Sequence, residues 1–317
     1  MYEALKSLDS IRLNFSENGL FALNLTIAFI MFGVALGIKV EHFKNLAINK
    51  RVPAIGLLSQ FLVLPIATFV VVVCLNKFIT PTIAMGMILV AACPGGNISN
   101  FLSALARGNA ALAVSMTAIG TILAIVFTPM NFYIWGSLYT NFISQVDSGS
   151  LLRPLEINPV KMFETVVLIL GVPISMGMAF NHYLPNTTRK ILKPIKTVSL
   201  IFFILFIAFA FRSNYYYFIH YIKYIFIIVL IHNGLGLFLG YYFSKYLKCS
   251  EIDCRTISIE TGIHNSGLAL VLLFNPKIFP PGMAIGGMMF VAAWWGLWHI
   301  LSGLTLAGYW SRRAPKN

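Results

Sequence analysis

Nine apolar segments, separated by short polar loops, constrain this chain more than any other feature. They lie at residues 20–38, 52–75, 79–106, 110–133, 159–181, 195–211, 222–247, 253–274 and 281–310. Each approaches the ~20 residues a helix needs to cross the hydrocarbon core of a bilayer. A backbone in lipid must satisfy its own N–H and C=O groups, so runs of this length predict helices, not open sheets. Composition agrees, with 58% hydrophobic and 10% charged residues, against about 25% charged in ordinary soluble domains. The expected fold is an all-α polytopic membrane protein with nine transmembrane helices and membrane lipid over much of its surface.

The formal charge of +13 first suggests a nucleic-acid partner. The basic residues, however, sit in clusters between apolar runs, which is how membrane proteins mark cytoplasmic loops. With the N-terminus outside, the inner loops hold 15 Lys and Arg and the outer loops 8. The inner set is Lys39, Lys44, Lys50, Arg51, Arg107, Arg189, Lys190, Lys193, Lys196, Lys245, Lys248, Arg255, Arg312, Arg313 and Lys316. The outer set is Lys6, Arg12, Lys77, Arg153, Lys161, Arg212, Lys223 and Lys277. The bias predicts an N-terminus outside and a C-terminus in the cytoplasm. Residues 1–19 mix Glu3, Asp9 and Glu17 with Lys6 and Arg12 and lack the pattern of a signal peptide, so the first apolar run is expected in the mature protein. Cys74, Cys93, Cys249 and Cys254 form no metal-binding framework and are expected to be free thiols.

The third and eighth segments are interrupted by polar and glycine-rich stretches. Lying five segments apart, they cross in opposite directions. Broken helices at matching positions of two oppositely oriented halves point to a transporter's binding site. The halves form a 4+5 inverted repeat, with Gly-Asn-Ile-Ser-Asn (96–100) facing Gly-Ile-His-Asn-Ser (262–266).

The first interruption reads Cys93-Pro94-Gly95-Gly96-Asn97-Ile98-Ser99-Asn100. Pro94 removes a donor and clashes with the preceding turn, and the glycines withdraw helix propensity. Carbonyls freed there need an ion, a neighbouring chain or water. A half-helix restarting near Asn97 turns its free N–H groups toward the midplane, where an anion is held. The second interruption reads Glu260-Thr261-Gly262-Ile263-His264-Asn265-Ser266-Gly267. Glu260 is the only carboxylate deep inside any segment. Since a charge at a helix centre costs about 2.5–3.5 kcal/mol on insertion scales, it is expected to face a cavity and hold a cation. His264 follows four residues on, one helical turn away.

Other features read as structural. Gly33-xxx-Gly37, Gly236-xxx-Gly240 and Gly282-xxx-Gly286 are spacings for close helix contact. Trp294, Trp295 and Trp298 are expected to pack inside the last segment, His232 and His299 to pack or hydrogen-bond, and Tyr215-Tyr216-Tyr217 to anchor an interface.

The chain resembles the bile acid:sodium symporter family. The resemblance rests on Cys-Pro-Gly-Gly-x-x-Ser-Asn (93–100), Ala-Arg-Gly-Asn-x-Ala-Leu (106–112), His-Asn-Gly-x-Gly (232–236), Glu-x-Gly-x-x-Asn-Ser-Gly-Leu-Ala (260–269) and Trp-His-x-x-Ser-Gly (298–303). These motifs occur in order, and the likeness covers nearly the whole chain from residue 20. The resemblance implies a nine-helix form, as in some animal members, lacking the first helix of ten-helix bacterial relatives. It implies a panel domain from 20–38 and 159–211 and a core domain from 52–133 and 222–310. Residues 1–19 form an extracytoplasmic N-terminus, and 311–317 form a cytoplasmic tail.

The resemblance also implies a first sodium site at Ser99, Asn100, Thr117 and Glu260. A second site falls on Gln60, Glu260, Thr261, Ile263 and His264, with Thr261 and Ile263 contributing carbonyls. Substrate contacts carry over onto Asn97, Ile98 and Asn265. Three positions depart from the family pattern: Ala113 replaces a hydroxyl ligand, His264 a glutamine, and Ile300 an asparagine in the last helix.

The resulting expectation is sodium-coupled symport of a small organic anion, bile-acid-like, a steroid conjugate or a small carboxylate, by alternating access. Sodium ions are the coupling ions, with no other cofactor, no nucleic acid and no obligate protein partner. The expected location is a bacterial inner membrane. A proton-coupled carrier using Glu260 and His264 is the rival reading. An intramembrane metalloprotease wants H-E-x-x-H, and Glu260-x-x-x-His264 supplies one histidine, so no enzyme is expected.

Overall fold

The computed structural model describes residues 2–9, 17–37, 50–146, 159–213, 215–280 and 283–315. Arg12, Lys39, Lys44, Arg153 and Lys316, used above to orient the chain, and Gly282 lie outside them. The described residues are helical almost throughout. In chain order the helices are α1 (Tyr2–Asp9), α2 (Glu17–Ala35), α3 (Arg51–Cys74), α4 (Pro81–Ala92), α5 (Ile98–Leu105) and α6 (Ala110–Val146). They continue as α7 (Pro159–Tyr183), α8 (Pro185–Ser213), α9 (Tyr215–Tyr246), α10 (Glu251–Gly262), α11 (Ser266–Phe274) and α12 (Gly286–Ser311). Five, namely α3, α6, α7, α9 over Ile219–Tyr246, and α12, are long and apolar enough to cross a membrane. Along α3, Leu58, Leu62, Ile66 and Val70 recur every fourth residue and are all exposed, the stripe expected of a lipid-facing surface.

The breaks have local causes. Thr80 is extended and Pro81 opens α4, where a missing N–H costs nothing. The helix stops before Cys93-Pro94, because the residue preceding a proline is pushed out of the helical region and Cys93 is extended. Ser250 caps α10, its hydroxyl accepting from Asp253 N at 3.2 Å. After Gly262 the chain turns extended at Ile263, and Asn265 caps α11 by accepting from Leu268 N at 3.0 Å. The first interrupted segment is thus α4–α5 and the second α10–α11.

Several helices extend past the apolar segments. The fourth segment ends at 133, yet α6 continues to Val146. Its buried Asn131 donates to Phe61 O at 3.0 Å and accepts from Trp135 Nε1 at 3.1 Å, tying this helix to α3. A π-helical turn at Ser59–Val63 interrupts α3 at Gln60. Such turns re-aim side chains and are frequent at functional sites.

Glycines set the closest helix contacts. A Cβ at Gly240 would lie 2.7 Å from Ile257 O, and one at Gly236 would lie 3.1 Å from Thr261 O, so α9 runs directly against α10. Gly33 bears on α8, where its Cβ would meet Ile195 Cγ2 at 2.9 Å. Trp295 is fully buried, and Phe226 packs on Trp294 and Trp298 with ring centroids 6.2 and 4.8 Å apart, as the packing expectation had it. The four cysteines are free. Buried Arg255 holds one end of the assembly together, its Nη1 donating to Ala106 O, Trp310 O and Arg313 O at 3.1–3.3 Å while Nε pairs with Glu251 at 3.2 Å.

Candidate ion and substrate site

The two breaks meet. Gly95 and His264 form an antiparallel bridge; Gly96 N donates to Ile263 O at 2.6 Å and Asn265 N to Pro94 O at 2.8 Å. Each break therefore satisfies backbone groups that the other frees, the neighbouring-chain solution among those the sequence allows. A third freed carbonyl, Gly262 O, accepts from Asn233 Nδ2 at 2.7 Å, and Ser302 donates to Asn233 Oδ1 at 2.5 Å. The crossing is tight. A Cβ at Gly96 would lie 3.1 Å from His264 O, and one at Gly95 would lie 2.7 Å from Gln60 Nε2 and 2.9 Å from Glu260 Oε2.

Glu260 is fully buried beside this crossing. Ser99 donates to its Oε1 at 2.5 Å, and Thr117 Oγ1 lies 3.3 and 3.2 Å from its two carboxylate oxygens. Thr117 is also 3.3 Å from Asn100 Oδ1 and 3.5 Å from Ser99 Oγ. The structure thus gathers Ser99, Asn100, Thr117 and Glu260 into one oxygen-rich cluster. Among the described residues the ion pair is Arg255–Glu251, and no basic side chain balances Glu260. A carboxylate buried this way calls for a cation or a proton.

Of the second group, Gln60 is in direct contact with Glu260. Gln60 donates through Nε2 to Glu260 O at 3.2 Å, leaving its buried Oε1 without a partner. His264 Nδ1 lies 2.9 Å from Val90 O. A carbonyl only accepts, so a neutral ring carries its proton on Nδ1 and presents the Nε2 lone pair. That Nε2 is buried and unpartnered. The orphaned Gln60 oxygen near Glu260 and the orphaned ring nitrogen of His264 are each an acceptor that a bound cation would satisfy. Ile263 O already accepts from Gly96 N, and the Thr261 hydroxyl is 3.0 Å from Ser59 Oγ.

Asn97, Ile98 and Asn265 line a cavity of about 680 Å3 together with Asn100, Thr117 and His264. Asn97 is exposed to it and Asn265, whose Oδ1 caps α11, is half-buried with its amide N–H groups free of that cap. His299 lines the same cavity, beyond its packing role, while its Nδ1 is held by Trp295 O at 2.6 Å. His232 keeps the packing role, bonded to Thr68 at 2.8 Å. Asn233 and Ser302 stand within quoted motifs, but neither residue type signals a backbone clamp. No spacing signal marks them.

Comparison with known proteins now bears on this geometry. The model of the Sodium Bile acid symporter family matches residues 24–221. The chain belongs to this family. It is similar to the uncharacterized sodium-dependent transporter YocS of Bacillus subtilis, at 30% identity over 96% of this chain and 89% of the relative. The ileal sodium/bile acid cotransporter of Oryctolagus cuniculus is 28% identical over 87% of this chain and 78% of the relative. The Arabidopsis thaliana protein named "Probable sodium/metabolite cotransporter BASS1, chloroplastic" is 30% identical over 90% and 66%. Membership makes the chain an integral membrane protein of a family of transporters, not of enzymes.

Proposed function

We propose that the chain is a secondary active carrier that couples sodium to symport of an organic anion by alternating access. The observation that carries this reading is buried Glu260, grouped with Ser99, Asn100 and Thr117 and with no basic partner among the described residues, behind the Asn100 and Thr117 that line a 680 Å3 cavity. Sodium is a hard cation that suits carboxylate, hydroxyl and amide oxygens. In the first site it binds Glu260, Ser99, Thr117 and Asn100. In the second it binds Glu260 with Gln60 Oε1, His264 Nε2 and the Thr261 and Ile263 carbonyls. Filling either site neutralises the carboxylate beside the crossing.

The anion binds where α5 and α11 begin. Helix N-termini there offer free N–H groups, and Asn97 and Asn265 add amide donors without a fixed charge. Sodium at Glu260 removes a repulsion from the neighbouring anion, which couples the two bindings. In this reading nine spans form a 4+5 inverted repeat in a bacterial inner membrane, N-terminus out and C-terminus in. The panel (20–38, 159–211) and the core (52–133, 222–310) then rock about the cavity between them.

The test is uptake by proteoliposomes of purified protein, with a panel of carboxylates from small keto acids to cholate. The reading expects accumulation above the external concentration under an inward sodium gradient and none in potassium. Accumulation driven equally by a proton gradient without sodium would favour the proton-coupled carrier. Equilibration alone, with either cation, would mean a channel.

A further inference from the structure

Two helices long and apolar enough to cross a membrane end side by side in a cluster of cations. α3 begins at Arg51, and the apolar span of α9 finishes at Tyr246. The two run antiparallel. A Cβ at Gly236 would lie 3.6 Å from Leu64 Cδ2, Thr68 Oγ1 is 2.8 Å from His232 Nε2, and Arg51 Nη2 donates to Leu247 O at 2.6 Å. Lys50, Arg51, Lys245 and Lys248 are all exposed at this end. The Arg51 bond caps α9 and holds the guanidinium at the surface with further N–H groups to offer. Lys245 Nζ rests over the Tyr241 ring, 5.5 Å from its centroid. The acids that open α10 are already engaged. Glu251 accepts from Arg255 Nε at 3.2 Å and from the Tyr241 hydroxyl at 2.8 Å, and Asp253 accepts from Asn109 Nδ2 at 2.9 Å and Ser250 at 2.7 Å. Among the described residues, none of these exposed cations has an ion pair.

Basic loops orient membrane proteins, but Lys248 exceeds that need. It stands at φ 57°, in the left-handed region. Lys248 N donates to Lys245 O at 2.9 Å and Cys249 N to Ser244 O at 3.0 Å. This is a Schellman turn, whose left-handed position usually belongs to glycine. A lysine there is strained, and an orienting charge can stand at any neighbouring position without that cost. Arg107, at φ 56°, is the other such residue among the described ones, and it closes α5 at the same end, beside the Ala106 O that Arg255 holds. We propose that Lys50, Arg51, Lys245 and Lys248 form a headgroup site for an anionic phospholipid at the α3–α9 boundary. The Arg51 fork matches phosphate oxygens, and the lysines add point charges around it. The acyl chains lie along the outward surface of the same helices, where Leu58 and Leu62 of α3 and Phe238 and Tyr242 of α9 are exposed. These cations stand where the apolar spans stop, which is the level of the headgroups. A free phosphate can use the cations alone, whereas a phospholipid uses both surfaces. Binding there stabilises the α3–α9 pair. The site requires only that the chain sits in a membrane and is independent of the ion and anion it carries.

The experiment follows the thermal midpoint of the purified full chain in a neutral detergent, titrated with phosphatidylglycerol or with phosphatidylcholine of the same acyl chains. Phosphatidylglycerol should raise the wild-type midpoint saturably and more than phosphatidylcholine does; inorganic phosphate at equal ionic strength should not raise it. Each cation near an anionic surface contributes about fivefold in affinity. The triple variant Arg51→Gln, Lys245→Gln, Lys248→Gln should therefore need about a hundredfold more phosphatidylglycerol for half-saturation. A control triple on α8, Arg189→Gln, Lys190→Gln, Lys193→Gln, removes the same charge and should respond as wild type does. Lys248→Gly covers the case in which the first triple does not fold. Glycine suits the left-handed turn, so this protein should melt above wild type in detergent alone, yet need about fivefold more phosphatidylglycerol. Equal responses to the two lipids, a shift reproduced by inorganic phosphate, equal losses in both triples, or an unchanged phosphatidylglycerol response in Lys248→Gly would each overturn the site.

Discussion

Substituting Gly95 with alanine tests the crossing with a single methyl group. Gly95 has no positive φ, so alanine can take its backbone conformation and the effect is steric. The new Cβ would lie 2.7 Å from Gln60 Nε2, 2.9 Å from Glu260 Oε2 and 3.3 Å from Glu260 O. Relaxed contacts of a carbon need about 3.5 Å, so the amide must withdraw by about 0.8 Å and the carboxylate by about 0.6 Å. Both displaced groups belong to the second ion site. Overpacking of this kind costs about 1–3 kcal/mol, and each 1.4 kcal/mol lost from binding is about tenfold in affinity. Gly95→Ala should therefore lower sodium affinity by about one to two orders of magnitude. The assay is the thermal midpoint of purified protein titrated with sodium chloride against potassium chloride at constant ionic strength. Gly234→Ala, whose Cβ would meet nothing within 4 Å, is the matched control. Wild-type sodium dependence in a folded Gly95→Ala protein would refute the placement of the cation beside this crossing.

Three further outcomes are expected. Asn265→Ala should weaken anion binding by about 1–3 kcal/mol, the cost of stranding a buried polar group. Asn265→Asp, which keeps the cap acceptor of α11 but replaces the amide donor with a negative charge, should weaken it further, with sodium stabilisation retained in both; calorimetry with the best-bound carboxylate checks this. His264→Gln should raise sodium affinity by replacing a single ring lone pair with a carbonyl oxygen, read as a lower half-saturating sodium in the thermal assay; no change would make His264 a spectator. Asp9, 8% exposed, accepts from Thr80 at 2.8 Å and from Thr82, fastening α1 to the start of α4. Burial raises its pKa above 3.8 and outweighs those two bonds, which act to lower it. A raised carboxyl stabilises the docked helix fully below the unfolded value and loses that contribution as pH rises through the folded one. Maleimide labelling of Leu8→Cys, a fully buried position, should therefore accelerate from pH 5 to 8 more in the wild-type background than with Asp9→Asn; equal acceleration would count against the latch.

The sequence shows the breaks themselves because their causes are local: Pro94 with two glycines, and Gly262 before an extended Ile263. It also isolates Glu260, since a carboxylate within an apolar run has few innocent explanations. Ser99, Asn100 and Thr117 came forward only through family resemblance, because hydroxyls and amides recur along these helices and no spacing distinguishes ligands. The mutual bonding of the breaks was not legible. Gly96 N to Ile263 O and Asn265 N to Pro94 O join stretches some 170 residues apart, and one chain carries no record of such pairings. The clamp of Gly262 O by Asn233 escaped for the same reason. The docking of α1 escaped because eight residues are too few for a periodic signal, although Leu5 and Leu8 are fully buried.

The central claim is that Glu260 holds the coupling sodium. Its most direct measurement is equilibrium binding of radiolabelled sodium to purified wild type, Glu260→Gln and Glu260→Ala, each first shown to be folded by its size-exclusion profile and thermal transition. The account expects saturable binding by wild type, nearly none by Glu260→Gln and none by Glu260→Ala. Saturable binding of wild-type strength by a well-folded Glu260→Ala protein would contradict it.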